Sequence, residues 1–158
     1  MMRKIDIHTA RTIIGSSYPA PYDEPCRNRT RRRIGDVAGL TQFGVNLTTL
    51  PPGCWSSQRH WHTAEDEFVF VLEGEVVLVS DAGEELLTAG NCAGFKAGAA
   101  DGHQLVNRSQ HDAVVLEIGT RRPEEDEVLY PDIGLRLKQS RPVFVRTDGE
   151  PYEAKASR

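Results

Sequence analysis

The sequence predicts an all-β fold, an antiparallel sandwich or barrel, and three observations carry that expectation. Across residues 43–118 short apolar segments alternate with turn residues, at spacings of about eight to twelve residues that are usual for consecutive antiparallel strands. The segments are rich in β-branched and aromatic residues, as in Glu67-Phe68-Val69-Phe70-Val71-Leu72 and Ala113-Val114-Val115-Leu116, which suit a pleated, half-buried surface. No helical periodicity competes over that span.

The elements follow in order. Residues 16–35 carry Pro19, Pro21 and Pro25 and then Arg27, Arg29, Arg31, Arg32 and Arg33, which argues against a regular core element and predicts an irregular N-terminal arm or long loop. Within it Tyr18-Pro19-Ala20-Pro21-Tyr22 suits an extended strap on a sheet or a neighbouring subunit. Strands are expected at Phe43–Leu50, around the histidines of residues 60–62, at 67–72, at Glu75–Ser80, and at residues 84–88, 103–107 and 112–118. Breaks at Pro51-Pro52-Gly53, Gly74, Asp81-Ala82-Gly83 and Ala89-Gly90-Asn91 separate them. Phe68, Val69, Phe70, Val71 and Leu72 read as packing rather than ligand contacts, while Phe43, Trp55 and Phe95 are candidates for a cavity mouth. In the tail, Pro123-Glu124-Glu125-Asp126-Glu127 can open a short helical turn. Leu135-Arg136-Leu137 and Val143-Phe144-Val145-Arg146 predict one or two edge strands, open to exchange with a partner because edges need cover.

A chain of 158 residues buries about 70% of its unfolded surface, enough for a single core. With 39% hydrophobic and 27% charged residues and a net charge of -4, it shows no global attraction for nucleic acid or anionic lipid. The first residues hold no apolar run of signal-peptide length and nowhere is there a membrane-spanning run, so the expectation is a soluble, cytoplasmic protein. Cys26, Cys54 and Cys92 fit neither a disulfide framework nor a thiolate zinc site. They read as reduced and mostly inert, with Cys54 close enough to the histidines to be oxidised there.

His60-Trp61-His62, followed by Glu67, offers the donors of a metal site. Side chains alternate faces in an extended strand, so His60 and His62 share one face and Trp61 takes the other. Thr63-Ala64-Glu65-Asp66 is polar and reverses the chain, so that residues 67–72 run back past the histidines with Glu67 facing the same cavity. A later block, which holds Gly90, Gly98 and Gly102, leads to His103 and Asn107 and delivers a third imidazole from another strand. Imidazoles with a carboxylate suit a divalent transition metal (iron, manganese, zinc or nickel) and are too nitrogen-rich for magnesium or calcium.

The two blocks resemble the paired motifs of the cupin superfamily. The first motif runs glycine, spacer, His-x-His, a short gap, glutamate and a later glycine, and the chain offers Gly53, His60, His62, Glu67 and Gly74. The second runs glycine, spacer, Pro-x-Gly, spacer, histidine and asparagine, and the chain offers Gly90, Gly98, His103 and Asn107. Departures are Lys96 where proline is usual, six residues rather than five after Gly53, and four rather than two between Gly98 and His103. The resemblance covers residues 43–119 and implies a double-stranded β-helix, the cupin or jelly-roll barrel. Residues 1–158 then form a single domain, with an arm at 1–42, the barrel core at 43–119 and a C-terminal extension with edge strands at 120–158. It also implies metal ligation by His60, His62, Glu67 and His103, structural roles for Asn107 and the glycines, and a homodimer.

Three functions of different class remain open. A metal-dependent enzyme of isomerase type would act on a small polar molecule such as a sugar or sugar phosphate, the ion polarising a carbonyl or hydroxyl and a carboxylate such as Glu73 or Asp66 serving as base. With iron, the two positions left free by three histidines and a carboxylate suit a dioxygenase. A sensor or carrier of a small-molecule ligand is the third, and no DNA-reading segment accompanies it. The arginines at 27–33 discriminate: folded over the barrel mouth they favour a phosphorylated or carboxylated substrate. Lys96 and Arg59 are candidates for the same anion-binding role, although Arg59 alternates with His60 and should point away.

Overall fold

The structure, a computed structural model, describes residues 4–152. β1 (Thr12–Ile14) and β2 (Thr30–Arg32) come from the N-terminal arm, and a one-turn helix α1 (Ile34–Val37) leads to β3 (Phe43–Leu50). β4 (Trp61–His62), β5 (Glu67–Glu73), β6 (Glu75–Ser80), β7 (Gly83–Thr88), β8 (Cys92–Phe95), β9 (Gln104–Val106) and β10 (Ala113–Thr120) follow. The C-terminal extension adds β11 (Glu127–Tyr130), β12 (Leu135–Lys138) and β13 (Arg141–Arg146). One sheet has the order β1-β2-β3-β10-β5-β8, a second β13-β12-β11-β4 and a third β7-β6-β9. An isolated bridge between His60 and His103 links the ends of β4 and β9 and so joins the two smaller sheets, and a second, between Trp55 and Val106, lays the segment before the histidines against β9.

Between the walls lies an aliphatic core. Leu50, Val71 and Val115 come from the large sheet and Val76, Leu87 and Leu105 from the opposite wall, each at most 5% exposed. Inward positions on facing sheets interdigitate in this way because alternate residues of every strand point to one side. Val69 and Val71 are packing residues as expected, but Phe68 and Leu72 are 40% and 43% exposed, since they occupy the other face of β5. The β5–β6 turn needs glycine: Gly74 has φ +71°, and a Cβ there would lie 2.6 Å from the Asp112 carbonyl oxygen. Asn107, fully buried, donates from Nδ2 to the carbonyls of Leu50 and His111 at 2.6 and 2.7 Å. It pins the chain behind β9, in keeping with a structural role.

Three expectations need correction. The arginine-rich arm is not irregular throughout, because β2 pairs with β1 and β3 and widens the large sheet. Backbone pairing asks nothing of side-chain polarity, so an arginine-rich segment can lie between β1 and β3 as long as its guanidiniums find acceptors. The strand after the histidines does not run back beside them either: β5 pairs with β10 and β8, while the histidine strand β4 pairs with β11. The tail supplies three strands, and β11 is built into the histidine sheet rather than left at an edge. Residues 123–125 form a turn, and Glu127 already begins β11. Tyr18 packs edge-on against Tyr130, ring centroids 5.5 Å apart, so the tyrosine strap lies on a sheet of its own chain.

Candidate metal centre

Main-chain pairing brings the two histidine blocks together. The His60 N–H donates to the His103 carbonyl at 3.1 Å and the His103 N–H returns to the His60 carbonyl at 2.8 Å. Glu67, at the start of β5, reaches across from the large sheet. Its Oε2 lies 2.9 Å from His103 Nε2, 3.4 Å from His60 Nε2 and 3.5 Å from His62 Nε2. His60, His62 and Glu67 offer donor atoms within 4.8 Å of one another, and His103 joins them through the shared oxygen. Two donors about 2.1 Å from one ion at neighbouring coordination positions stand roughly 3.0–3.4 Å apart. The separations from Glu67 to the three imidazoles fall in or beside that range, so this donor set fits a transition metal.

Each imidazole is aimed by a different device. His60 Nδ1–H donates to the Gln58 carbonyl at 2.9 Å, which leaves Nε2 as the free donor. His62 Nδ1 faces Asp126 Oδ2 at 2.7 Å, and Asp126 is itself fixed by accepting the Ala64 N–H at 2.9 Å. Asp126 is 1% exposed. His103 is sandwiched flat against Phe95, centroids 3.5 Å apart with the planes 1° from parallel, and its buried Nδ1 has no partner among the described residues.

Charge follows from this packing. Burial opposes ionisation of Glu67, but hydrogen bonds from His103 and His60, with the electrostatic pull of His60 and His62, outweigh it and hold the carboxyl well below its ordinary range. Burial also disfavours a charged His62, yet the hydrogen bond to Asp126 and the charges of Glu67, Asp126 and Glu65 raise its pKa. His103 is lowered, chiefly by burial. Burial likewise lifts Glu65.

The donors form one side of a cavity of about 510 Å³, a volume within the range of small-molecule sites. Arg29, Arg31, Arg33 and Arg121 line it together with Glu65, Glu117 and Tyr130. A smaller hollow of about 230 Å³, bordered by Trp61 and Lys96, reaches the same histidines from another side. Of the expected mouth residues only Phe95 lines either cavity. Cys54 is packed in the aliphatic core, away from the site. Glu73 and Asp66 are exposed and border neither cavity, so neither is placed to act as base. Arg59 points away as alternation requires and pairs with Asp132 and Asp81. Sequence reasoning missed Asp126, Glu65 and Tyr130. Asp126 sits in an acidic run that looks like a solvated turn, and only the pairing of β11 with β4 reveals its role.

Fold and donor set together define a β-barrel protein with a candidate transition-metal centre at one end of its cavity. Residues 46–119 match the Cupin domain family. The chain is similar over nearly its whole length to a sugar phosphate isomerase of the cupin superfamily from Silicibacter pomeroyi, at 44% identity and a TM-score of 0.90, covering 96% of this chain and 98% of that one. A putative sugar phosphate isomerase from Acidithiobacillus ferrooxidans is 28% identical, with a TM-score of 0.71 and coverage of 81% and 82%. The polyketide cyclase RemF from Streptomyces resistomycificus, 21% identical with a TM-score of 0.62 and coverage of 78% and 82%, shares the fold. Among curated proteins no match is found. The chain belongs to the cupin superfamily.

Proposed function

We propose that this cupin is a metal-dependent isomerase of a phosphorylated sugar. The observation that carries the reading is the convergence of three imidazole Nε2 atoms on one Glu67 oxygen at the side of a cavity sized for a small molecule. Similarity over almost the full length to a protein described as a sugar phosphate isomerase supports the substrate class.

In this reading His60, His62, Glu67 and His103 hold a divalent transition metal. When bound, such an ion supplies Lewis-acid charge that stabilises a developing enediolate. The chain's own residues do the rest. Gln58 and Asp126 fix the tautomers of His60 and His62 so that both Nε2 atoms face inward. Phe95 shields one face of His103, and Leu105, Val128 and Phe144 give the cavity apolar flanks that limit water. Glu65 is the lining carboxylate outside the donor set whose partner is a backbone N–H, that of Arg122, rather than an arginine side chain. That position gives it the proton-transfer role, in place of Glu73 or Asp66.

The test is a panel of aldose and ketose phosphates incubated with tag-free protein and followed by proton NMR in deuterium oxide, with oxygen uptake recorded in parallel. Interconversion of an aldose phosphate and its ketose, with solvent deuterium entering at the carbon next to the carbonyl, is the expected result. Oxygen consumption without isomerisation would replace this reading with dioxygenase chemistry, and neither activity would leave a binding protein.

A further inference from the structure

The large-sheet side of the cavity gathers more guanidiniums than carboxylates paired with them. Extended backbone through β2 directs Arg29, Arg31 and Arg33 to the cavity, and Arg121, just beyond β10, joins them. Arg29, 5% exposed, spends its donors on the carbonyls of Gly15 and Ser56 and, among the described residues, pairs with no carboxylate. Arg31 pairs with Glu117 at 2.8 Å. Arg33 and Arg121 share Asp36, at 2.8 and 2.5 Å. Four guanidiniums therefore share two carboxylate partners, Glu117 and Asp36, while the other acids on the lining, Glu67 and Glu65, are engaged by the histidines and by the Arg122 N–H, so two guanidiniums go without a carboxylate of their own among the described residues. A phosphomonoester near neutral pH carries about -1.5 to -2.

Donors remain free as well. Among the described residues the two terminal nitrogens of Arg33 and Nη1 of Arg31 make no hydrogen bond. Ser16 Oγ, on the same lining, is buried with no partner. A wall built only to close the barrel gains nothing from guanidiniums that outnumber their carboxylate partners, since concentrated like charge destabilises the compact state, and a buried hydroxyl without a partner costs free energy. An anion with several acceptor oxygens resolves both, and planar guanidiniums recognise phosphate in that way.

We infer that Arg31, Arg33 and Arg121, with the Ser16 hydroxyl, form the subsite for the phosphate group of the substrate, Arg29 adding fixed charge behind them. The assignment rests on the isomerase reading for the sugar but on the wall itself for the phosphate. The molecule is then bipolar: the metal centre faces the reacting carbons and the arginine wall anchors the far end. Anchoring there directs binding energy from a non-reacting group to orienting the carbonyl end.

Inorganic phosphate is the probe. Titrated into the full-length protein, it should bind saturably by calorimetry and shift the Nε–H resonances of Arg31, Arg33 and Arg121 while leaving Arg59, outside the cavity, in place. The double variant Arg33→Gln/Arg121→Gln should bind phosphate at least about tenfold more weakly with metal content unchanged. His62→Ala, which strips the metal centre, should keep phosphate binding, and acetate at equal concentration should bind far more weakly. Absence of saturable binding, resonance shifts spread equally to Arg59, or loss of binding in His62→Ala would overturn the subsite. The wild-type resonance shifts decide the matter even if the double variant folds poorly. Failure of the isomerase reading is distinct: no turnover of any sugar phosphate, with phosphate still bound at the arginine wall.

Discussion

The two halves of the barrel interior are made of different material. On one side Leu50, Val71, Val76 and Val115 are wholly buried and packed only on one another and their neighbours. On the other, His60, His62, Glu67, His103 and Asp126 are held by individual hydrogen bonds, and arginines line the opposite wall. Apolar packing is non-directional and roughly proportional to area. The polar half depends on single atoms in single positions. The aliphatic core and the candidate metal centre therefore reside in separate residues, and substitutions should divide along the same line.

The largest effect is expected in the apolar half. Leu50→Ala leaves a cavity in a side chain with no exposure, which costs about 2–5 kcal/mol. Urea denaturation reads this directly, and an unchanged midpoint would break the division between the halves. Asp126→Asn should come next, with the opposite signature. The amide keeps the contact to Ala64 but no longer offers His62 a carboxylate, so metal affinity measured against a competing chelator should fall about 10–100-fold while the folded structure persists. A variant that unfolds instead would place Asp126 with the core.

The same residue makes a pH prediction. Burial works to raise the Asp126 pKa, but the hydrogen bonds from His62 and Ala64 prevail and it is lowered. A carboxyl with a lower pKa folded than unfolded contributes fully above the ordinary carboxylate range, about pH 4, and that contribution is lost as pH falls through the lowered value. Denaturation midpoints of Asp126→Asn should therefore decline less steeply than those of wild type below about pH 4. Smaller still is Gly74→Ala, where positive φ alone costs about 1–2 kcal/mol and the approach to Asp112 adds to it. The smallest effect belongs to the exposed pair Arg108–Glu84: Arg108→Ala should leave the thermal midpoint unchanged.

The sequence carried the apolar half of this comparison better than the polar half. β3 and β6 are legible to the residue, and β5 and β10 nearly so, because β-branched and aromatic residues mark them. β8 (Cys92–Phe95) was hidden, since Ala93 and Gly94 give no apolar alternation. β2 lay under its arginines and β11 behind an acidic turn. The four donors stand in two compact motifs and could be named from spacing and resemblance. Asp126 could not, because its meeting with His62 depends on the register of β11 against β4, Val128 opposite His62, and register between segments so distant is not written in either segment alone. The arginines were visible as a cluster, but which of them face the cavity followed only from the pairing of β2 with β3.

The central claim is that His60, His62, Glu67 and His103 hold a metal ion, and metal content per chain measured by elemental mass spectrometry on tag-free protein tests it most directly. Wild type should carry close to one transition-metal ion per chain, and His62→Ala and His103→Ala close to none, with circular dichroism spectra unchanged because the aliphatic core is untouched. Metal absent from wild type, or retained at the wild-type level in both variants, would contradict the account.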